Sequence, residues 1–197
     1  MHFVRRLGVI ALSLSAVAGC GTAGSTQRDP LQAAPLASGA VITTVITPGV
    51  AARPGDAAAY SPVEATASLR PGDGLRTDET GFAEVTFADG SLMRLDALTE
   101  IEVTELGEAT STPAGRVTLA TGRVWARTVD APSGGFTVTT RLATAAGSGT
   151  AFTVECPTQD ACTYTVLEGT ITLTTSDGNT SELAAPRSVT VTAADSP

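Results

Sequence analysis

Residues 71–103 read PGDGLRTDETGFAEVTFADGSLMRLDALTEIEV, and this stretch decides the fold. Ala83, Val85 and Phe87 alternate with polar neighbours, Asp89-Gly90 interrupts the run, Leu92 to Leu95 resumes it, and Ile101 and Val103 carry a third alternation. An apolar period of two, bounded by Gly, Asp and Pro, is the pattern of successive short strands with one face buried. No cluster of catalytic residue types interrupts it.

Outward from this stretch, Val41 to Ile46 is β-branched throughout and is followed by Pro48-Gly49, so it reads as a strand ended by a turn. Pro54-Gly55-Asp56 and Pro71-Gly72-Asp73 mark further turns, with a weak strand expected over Val63 to Leu69. A local pattern recurs at Phe87-Ala88-Asp89-Gly90-Ser91-Leu92, Leu119-Ala120-Thr121-Gly122-Arg123-Val124 and Val166-Leu167-Glu168-Gly169-Thr170-Ile171. Each is a strand-turn-strand unit in which Gly supplies a positive φ. Asp-Gly suits a two-residue type I′ hairpin, whereas Thr-Gly and Glu-Gly suit it poorly, so some of these units serve equally well as corners between stacked strands. After Cys20 no apolar stretch follows the helical period. The expected class is all-β: stacked short antiparallel strand pairs, either solenoid-like or a folded-over sandwich, behind a disordered N-terminal tether.

The chain has 197 residues, enough for one domain and a tail; a folded part of about 150 residues buries roughly 70% of its extended surface. Twenty acidic residues outnumber twelve basic ones, all of them Arg, for a formal net charge of −8. A nucleic-acid surface needs clustered positive charge, so the sign excludes that class of partner.

Met1 to Cys20, MHFVRRLGVIALSLSAVAGC, has Arg5 and Arg6, an apolar run from Leu7 and small residues before the cysteine, the order of an export signal. Its last four residues, Val17-Ala18-Gly19-Cys20, resemble the lipobox of bacterial lipoproteins, in which the cysteine becomes the lipidated first residue. That resemblance implies a signal peptide over 1–19, diacylglycerol and palmitate on Cys20, a flexible tether over 20–40 and a β domain over 41–197, held extracytoplasmically at the cell envelope. Loss of Arg5 and Arg6 would take the net charge to −10. Two or three acyl chains, at about 0.8 kcal/mol per buried methylene, make a stable membrane anchor. The alternative is an ordinary cleaved secretory signal in which Cys20 is incidental.

Cys156 and Cys162 then remain as an even pair in an oxidising compartment. Phe152 to Glu155 and Thr163 to Val166 read as two strands joined by residues 157–161. If Cys156 sits opposite Cys162, Val154 faces Tyr164 and Phe152 faces Val166, giving one apolar face; a disulfide follows. The spacing is not Cys-x-x-Cys, and no His is near for a metal.

Arg70-Pro71-Gly72-Asp73-Gly74-Leu75-Arg76-Thr77, Gly81-Phe82-Ala83-Glu84-Val85, Phe87, Asp89-Gly90-Ser91 and Leu95 together resemble the signature of the FecR-like domain family. So do Gly122 within VTLATGRVWA, Phe136 to Thr140, Gly149 to Val154 and Val166 to Ile171. The resemblance spans about Gly49 to Leu173. It implies a β-rich exported domain that makes protein contacts. The family's founding members carry iron-siderophore signals from an outer-membrane transporter to a cytoplasmic σ factor. Their cytoplasmic σ-binding helices and membrane span have no counterpart in this sequence, so the resemblance extends to fold and to an interaction or sensing role, and not to anti-σ activity.

His2, the one histidine, lies in the signal segment, which removes the Ser-His-Asp layout from a processed chain. Ser148 lacks the flanking glycines of a nucleophile elbow. Asp96, Glu100, Glu102, Glu105 and Glu108 form the densest acidic patch, but Ile101 and Val103 alternate with the glutamates as on a strand with one wet face; a cation site is the alternative. No catalytic residue, metal ligand set or cofactor site is read from these residues.

Trp125, the lone tryptophan, shares one side of its strand with Arg123 and Arg127, while Val124 and Ala126 face the other way. It either fills an inner face of a two-layer fold or, exposed between two guanidinium groups, anchors a partner. The leading expectation is therefore a lipid-anchored module of the cell envelope that contacts another envelope protein through a strand edge or the Arg123, Trp125, Arg127 face. The second is a module associating with glycan or peptidoglycan, for which few aromatics are available.

Overall fold

The computed structural model describes residues 39–46, 49–55, 57–107, 115–130 and 135–193. The signal segment, Cys20, most of the tether and Glu108 lie outside them. Sixteen strands follow in order: β1 Ala40–Ile46, β2 Val50–Arg53, β3 Ser61–Pro62, β4 Ser68–Leu69, β5 Gly74–Thr77, β6 Phe82–Phe87, β7 Leu92–Leu95 and β8 Glu100–Leu106. The second half comprises β9 Gly115–Arg127, β10 Phe136–Thr139, β11 Ala143–Gly147, β12 Ala151–Thr158, β13 Ala161–Glu168, β14 Thr170–Thr175, β15 Thr180–Ala184 and β16 Arg187–Thr192. There is no α-helix among the described residues, and so none long and apolar enough to cross a membrane.

The ladders form two sheets joined by one strand. The first runs β4-β1-β6-β7-β9-β12-β13-β16 and the second β3-β2-β5-β8-β9-β10-β11-β14-β15. All pairs are antiparallel except β9 with β10. The thirteen-residue β9 belongs to both sheets: residues 115–121 pair with β8, and 122–127 pair with β12. At the changeover Gly122 has φ +91°, and a Cβ there would come within 2.4 Å of Thr99 Cα and 2.6 Å of the Leu98 carbonyl oxygen. Only a residue without a side chain fits that corner. This is a folded-over sandwich, one of the two architectures the alternation allows.

Alternation becomes burial strand by strand. In β6, Ala83, Val85 and Phe87 are buried while Glu84 and Thr86 face outward, and Ile101 and Val103 do the same for β8. The inner residues of both sheets form one apolar cluster, in which Phe87 of the first sheet meets Phe136 of the second edge to face at 4.6 Å. Tyr164 ties the layers together. From β13 its hydroxyl lies 2.7 Å from Thr140 Oγ1 in the turn between β10 and β11, and that oxygen accepts from the Leu142 and Ala143 N–H groups. Among the described residues no buried side-chain polar atom lacks a partner, as a low-dielectric core requires.

The glycines of the recurring pattern all have positive φ, but they do two different jobs. Gly169, like Gly122, is a corner between sheets, here between β13 and β14. Gly90 closes a hairpin, and not of type I′: Gly90 N–H donates to Phe87 O, Phe87 N–H donates to Ser91 O, and Asp89 keeps a negative φ. That is a turn followed by a glycine bulge, held by Asp89 accepting from the Ser91 N–H at 2.9 Å. Thr175 to Asn179 repeats the device around Asp177 and Gly178. The weak strand expected over Val63 to Leu69 is reduced to the two-residue β4, preceded by a turn that places Thr66 at φ +77°; the equally short β3 lies just before that range, at Ser61–Pro62. Pro62 has no N–H with which to extend a ladder.

Candidate functional site

β12 and β13 align as the apolar pattern requires, with Val154 opposite Tyr164 and Phe152 opposite Val166. Cys156 and Cys162 form a disulfide at the end of this pair. The loop is shorter than expected, because the strands continue to Thr158 and restart at Ala161. The bridge is buried on the inner face, where it staples the hairpin and is shielded from solvent thiols.

Arg123, Trp125 and Arg127 project outward from the first sheet, while Val124 and Ala126 are buried beneath them. Trp125 is half-buried and belongs to that outer surface, not to the core. Its neighbours follow from the register: Thr44, Glu84, Arg94, Trp125, Thr153, Thr165 and Ser188 form one row across the sheet. The Arg94 guanidinium sits 4.9 Å from the indole centroid and donates to Glu84 at 2.8 Å, so acid, guanidinium and indole form one layered unit. Arg123 pairs with Asp96 at 3.5 Å. Arg127 is exposed, lies between Leu92 and Ala151, and has no carboxylate partner among the described residues. The surface combines an aromatic plane held in place, small hydroxyls and an uncompensated guanidinium, groups suited to a carboxylate-bearing protein surface.

A second cluster, on the outer face of the other sheet, was not legible in the sequence. Tyr60 lies over Gly74, where a Cβ would come within 2.5 Å of its hydroxyl oxygen. Arg76 stacks 4.4 Å and Arg53 5.6 Å from the ring centroid, and the hydroxyl donates to Glu100 Oε1 at 3.0 Å. Burial raises the Tyr60 phenol above its ordinary value, against the opposing pull of Arg53. Arg53 in turn reaches Glu102 at 3.4 Å. The signal for this cluster is long-range: Tyr60 sits in an aperiodic loop, and only the β2-β5-β8 register brings Arg53, Arg76 and Glu100 beneath it.

The acidic patch is dispersed. Glu100 serves Tyr60, Glu102 serves Arg53, Glu105 pairs with Arg116 at 3.7 Å and Asp96 pairs with Arg123. No group of three or more metal-ligating side chains converges among the described residues. Ser148 lies in the turn before β12, its hydroxyl 3.4 Å from Asp130.

Comparison with known proteins gives a consistent fold. A family model described as FecR protein matches residues 73–172, from β5 into β14. Two crystal structures of a provisionally assigned anti-sigma factor from Parabacteroides distasonis, at 2.50 and 1.65 Å resolution, superpose with TM-scores of 0.53 and 0.52 at 20% and 21% identity. Each alignment covers 62% of this chain and 55% of the other, so the chain spans about half the length of that protein. Such identity establishes likeness of fold alone. No curated protein matches the sequence significantly.

Proposed function

The chain belongs to the FecR protein family, and from that premise we propose that it is a lipid-anchored, extracytoplasmic sensing or signalling module that docks another envelope protein on its Arg123, Trp125, Arg127 face. The observation that carries the reading is Arg127, an exposed guanidinium beside an indole already fixed by Arg94, with no acid partner among the described residues. Binding there would supply the missing carboxylate without first breaking an internal ion pair. That arrangement favours association over an already compensated surface. The Val17-Ala18-Gly19-Cys20 lipobox supports the anchor. Sugar stacking is disfavoured, because Arg94 already occupies a face of the lone tryptophan.

Two experiments test this. Palmitate labelling should mark the wild-type chain and not Cys20→Ala. In a crosslinked pull-down from membranes, Arg127→Glu should retain the partner at least about tenfold less well, the loss of roughly 1.4 kcal/mol; equal recovery by wild type and variant sinks the contact face. Among the described residues Arg127 makes no ion pair that the substitution would break.

A further inference from the structure

Arg76 stands exposed on the outer face of β5 with its guanidinium stacked on the Tyr60 ring at 4.4 Å. Stacking holds the planar group in place through one face and uses none of its N–H donors. Among the described residues Arg76 forms no ion pair and donates no hydrogen bond, whereas the neighbouring Arg53 is committed to Glu102.

Two residues on, Asp78 stands on the same face, because its N–H continues the β2-β5 ladder by donating to Gly49 O at 2.9 Å. Thr80 fixes the carboxylate: Asp78 Oδ1 accepts from the Thr80 N–H at 2.8 Å and from Thr80 Oγ1 at 2.9 Å. Those bonds, the backbone one foremost, hold the carboxyl below its ordinary range, so it stays charged. A Cβ at position 49 would lie 2.6 Å from Asp78 Oδ1, so glycine there lets the carboxylate rest against the ladder. Asp78 and Arg76 do not pair with each other. Both line one cleft of about 360 Å³, whose other walls are Gly49, Val50, Ala51 and Thr77. That volume lies at the lower end of the range for small-molecule sites.

A fixed cation and a fixed anion that face one cleft and leave each other unpaired suit a ligand carrying both signs. Alternate residues of a strand are about 6.7 Å apart. An α-amino acid sets its ammonium about 2.5 Å from its carboxylate carbon, and with a charge-assisted hydrogen bond of about 2.8 Å at each end it spans about 8 Å. It therefore reaches both groups, which a simple carboxylate cannot do. The sign of the chain favours the same class: a formal net charge of −8 repels a free anion at long range, whereas a zwitterion carries no net charge.

We propose that this cleft binds a free α-amino acid, with its carboxylate on the Arg76 guanidinium and its ammonium on Asp78. The Tyr60 stack then has a role, since a guanidinium immobilised in advance loses less freedom when the ligand arrives. This site lies on the second sheet and shares no residue with the docking face, so it goes beyond that reading and does not depend on it.

Thermal shift of the full chain, with each standard amino acid in turn at about 10 mM, tests the proposal. At least one should raise the midpoint by about 4 °C, the shift for a ligand tenfold above its Kd. For that amino acid, calorimetric titration of the wild type should give at least about tenfold weaker binding of its carboxamide and of its N-acetyl derivative, and Arg76→Gln and Asp78→Asn should each bind the unmodified ligand at least about tenfold less well. Both side chains are exposed, and Asn keeps an oxygen for Thr80, so both variants should melt within about 2 °C of wild type. Arg187→Gln, which removes the same charge from the other sheet, should bind as wild type does. Overturning results are a midpoint that no amino acid moves, binding of acetate or of the N-acetyl derivative as tight as that of the amino acid, or unchanged affinity in Arg76→Gln or Asp78→Asn.

Discussion

The link across the core from the Tyr164 hydroxyl is the most exacting place to test the two-layer architecture, since its hydrogen bonds to Thr140 Oγ1 at 2.7 Å and Ala143 O at 3.4 Å join the layers through the apolar interior. Tyr164→Phe keeps the ring and removes one hydroxyl. Thr140 Oγ1 still accepts from the Leu142 and Ala143 N–H groups and can donate to Ala143 O at 3.0 Å, so no donor is stranded. The cost is that of one buried bond, about 1 to 1.5 kcal/mol, or about 3 to 5 °C in Tm for a domain of this size. Thr140→Val is harsher because it leaves the tyrosine hydroxyl only the longer bond to Ala143 O and deprives two N–H groups of their acceptor, for about 3 kcal/mol. Denaturant unfolding of both single variants and the double variant should give a coupling near 1 kcal/mol. pH provides a second readout. Burial raises the Tyr164 phenol above its ordinary value of 10.0, and the Thr140 bond only partly opposes this. The folded state therefore holds this proton more tightly than the unfolded one. The contribution is complete below pH about 10 and is lost as pH rises from there through the folded value. Tyr164→Phe should flatten that alkaline limb. Strict additivity of the two single variants, or an unchanged alkaline limb, would refute the link between the layers.

Gly122→Ala combines a left-handed φ with a clash against backbone atoms and should cost about 3 kcal/mol or more, whereas Gly178→Ala, also at positive φ but with open space around its Cβ, should cost about 1 kcal/mol; equal denaturation midpoints for the two would remove the corner from β9. Replacing Cys156 and Cys162 with Ala should lower stability by about 2 kcal/mol, the chain-entropy value for so short a loop, and therefore Tm by about 6 °C; an unshifted melt would mean that the bridge constrains nothing. Arg94→Ala should uncover the lone tryptophan, raising acrylamide quenching of its fluorescence while costing under about 1 kcal/mol; unchanged quenching would separate Arg94 from the indole.

What was legible in the sequence follows the range of the interactions. Strands with one buried face announce themselves by alternation, and so β6, β7, β8 and the β12-β13 pair with its disulfide were readable from neighbouring residues. The corner in β9 was half readable. Gly122 flagged a turn, but strand-forming residues flank it on both sides, and only the close approach of Thr99 and Leu98 from the preceding loop shows that the chain bends there without ending the strand. β3 and β4 are too short to carry a period. The sidedness of Arg123, Trp125 and Arg127 was fixed by alternation alone, yet Arg94, which holds the indole, comes from a strand paired by register. Tyr60 and its two arginines depend entirely on such pairing.

Photo-crosslinking in cells addresses the docking face most directly. A photoreactive residue at position 127 of the first sheet should capture an envelope protein, whereas the same residue at position 174, on the outer face of the second sheet, should capture none. Capture from position 174 and none from 127 would place the contact on the wrong sheet and contradict the account.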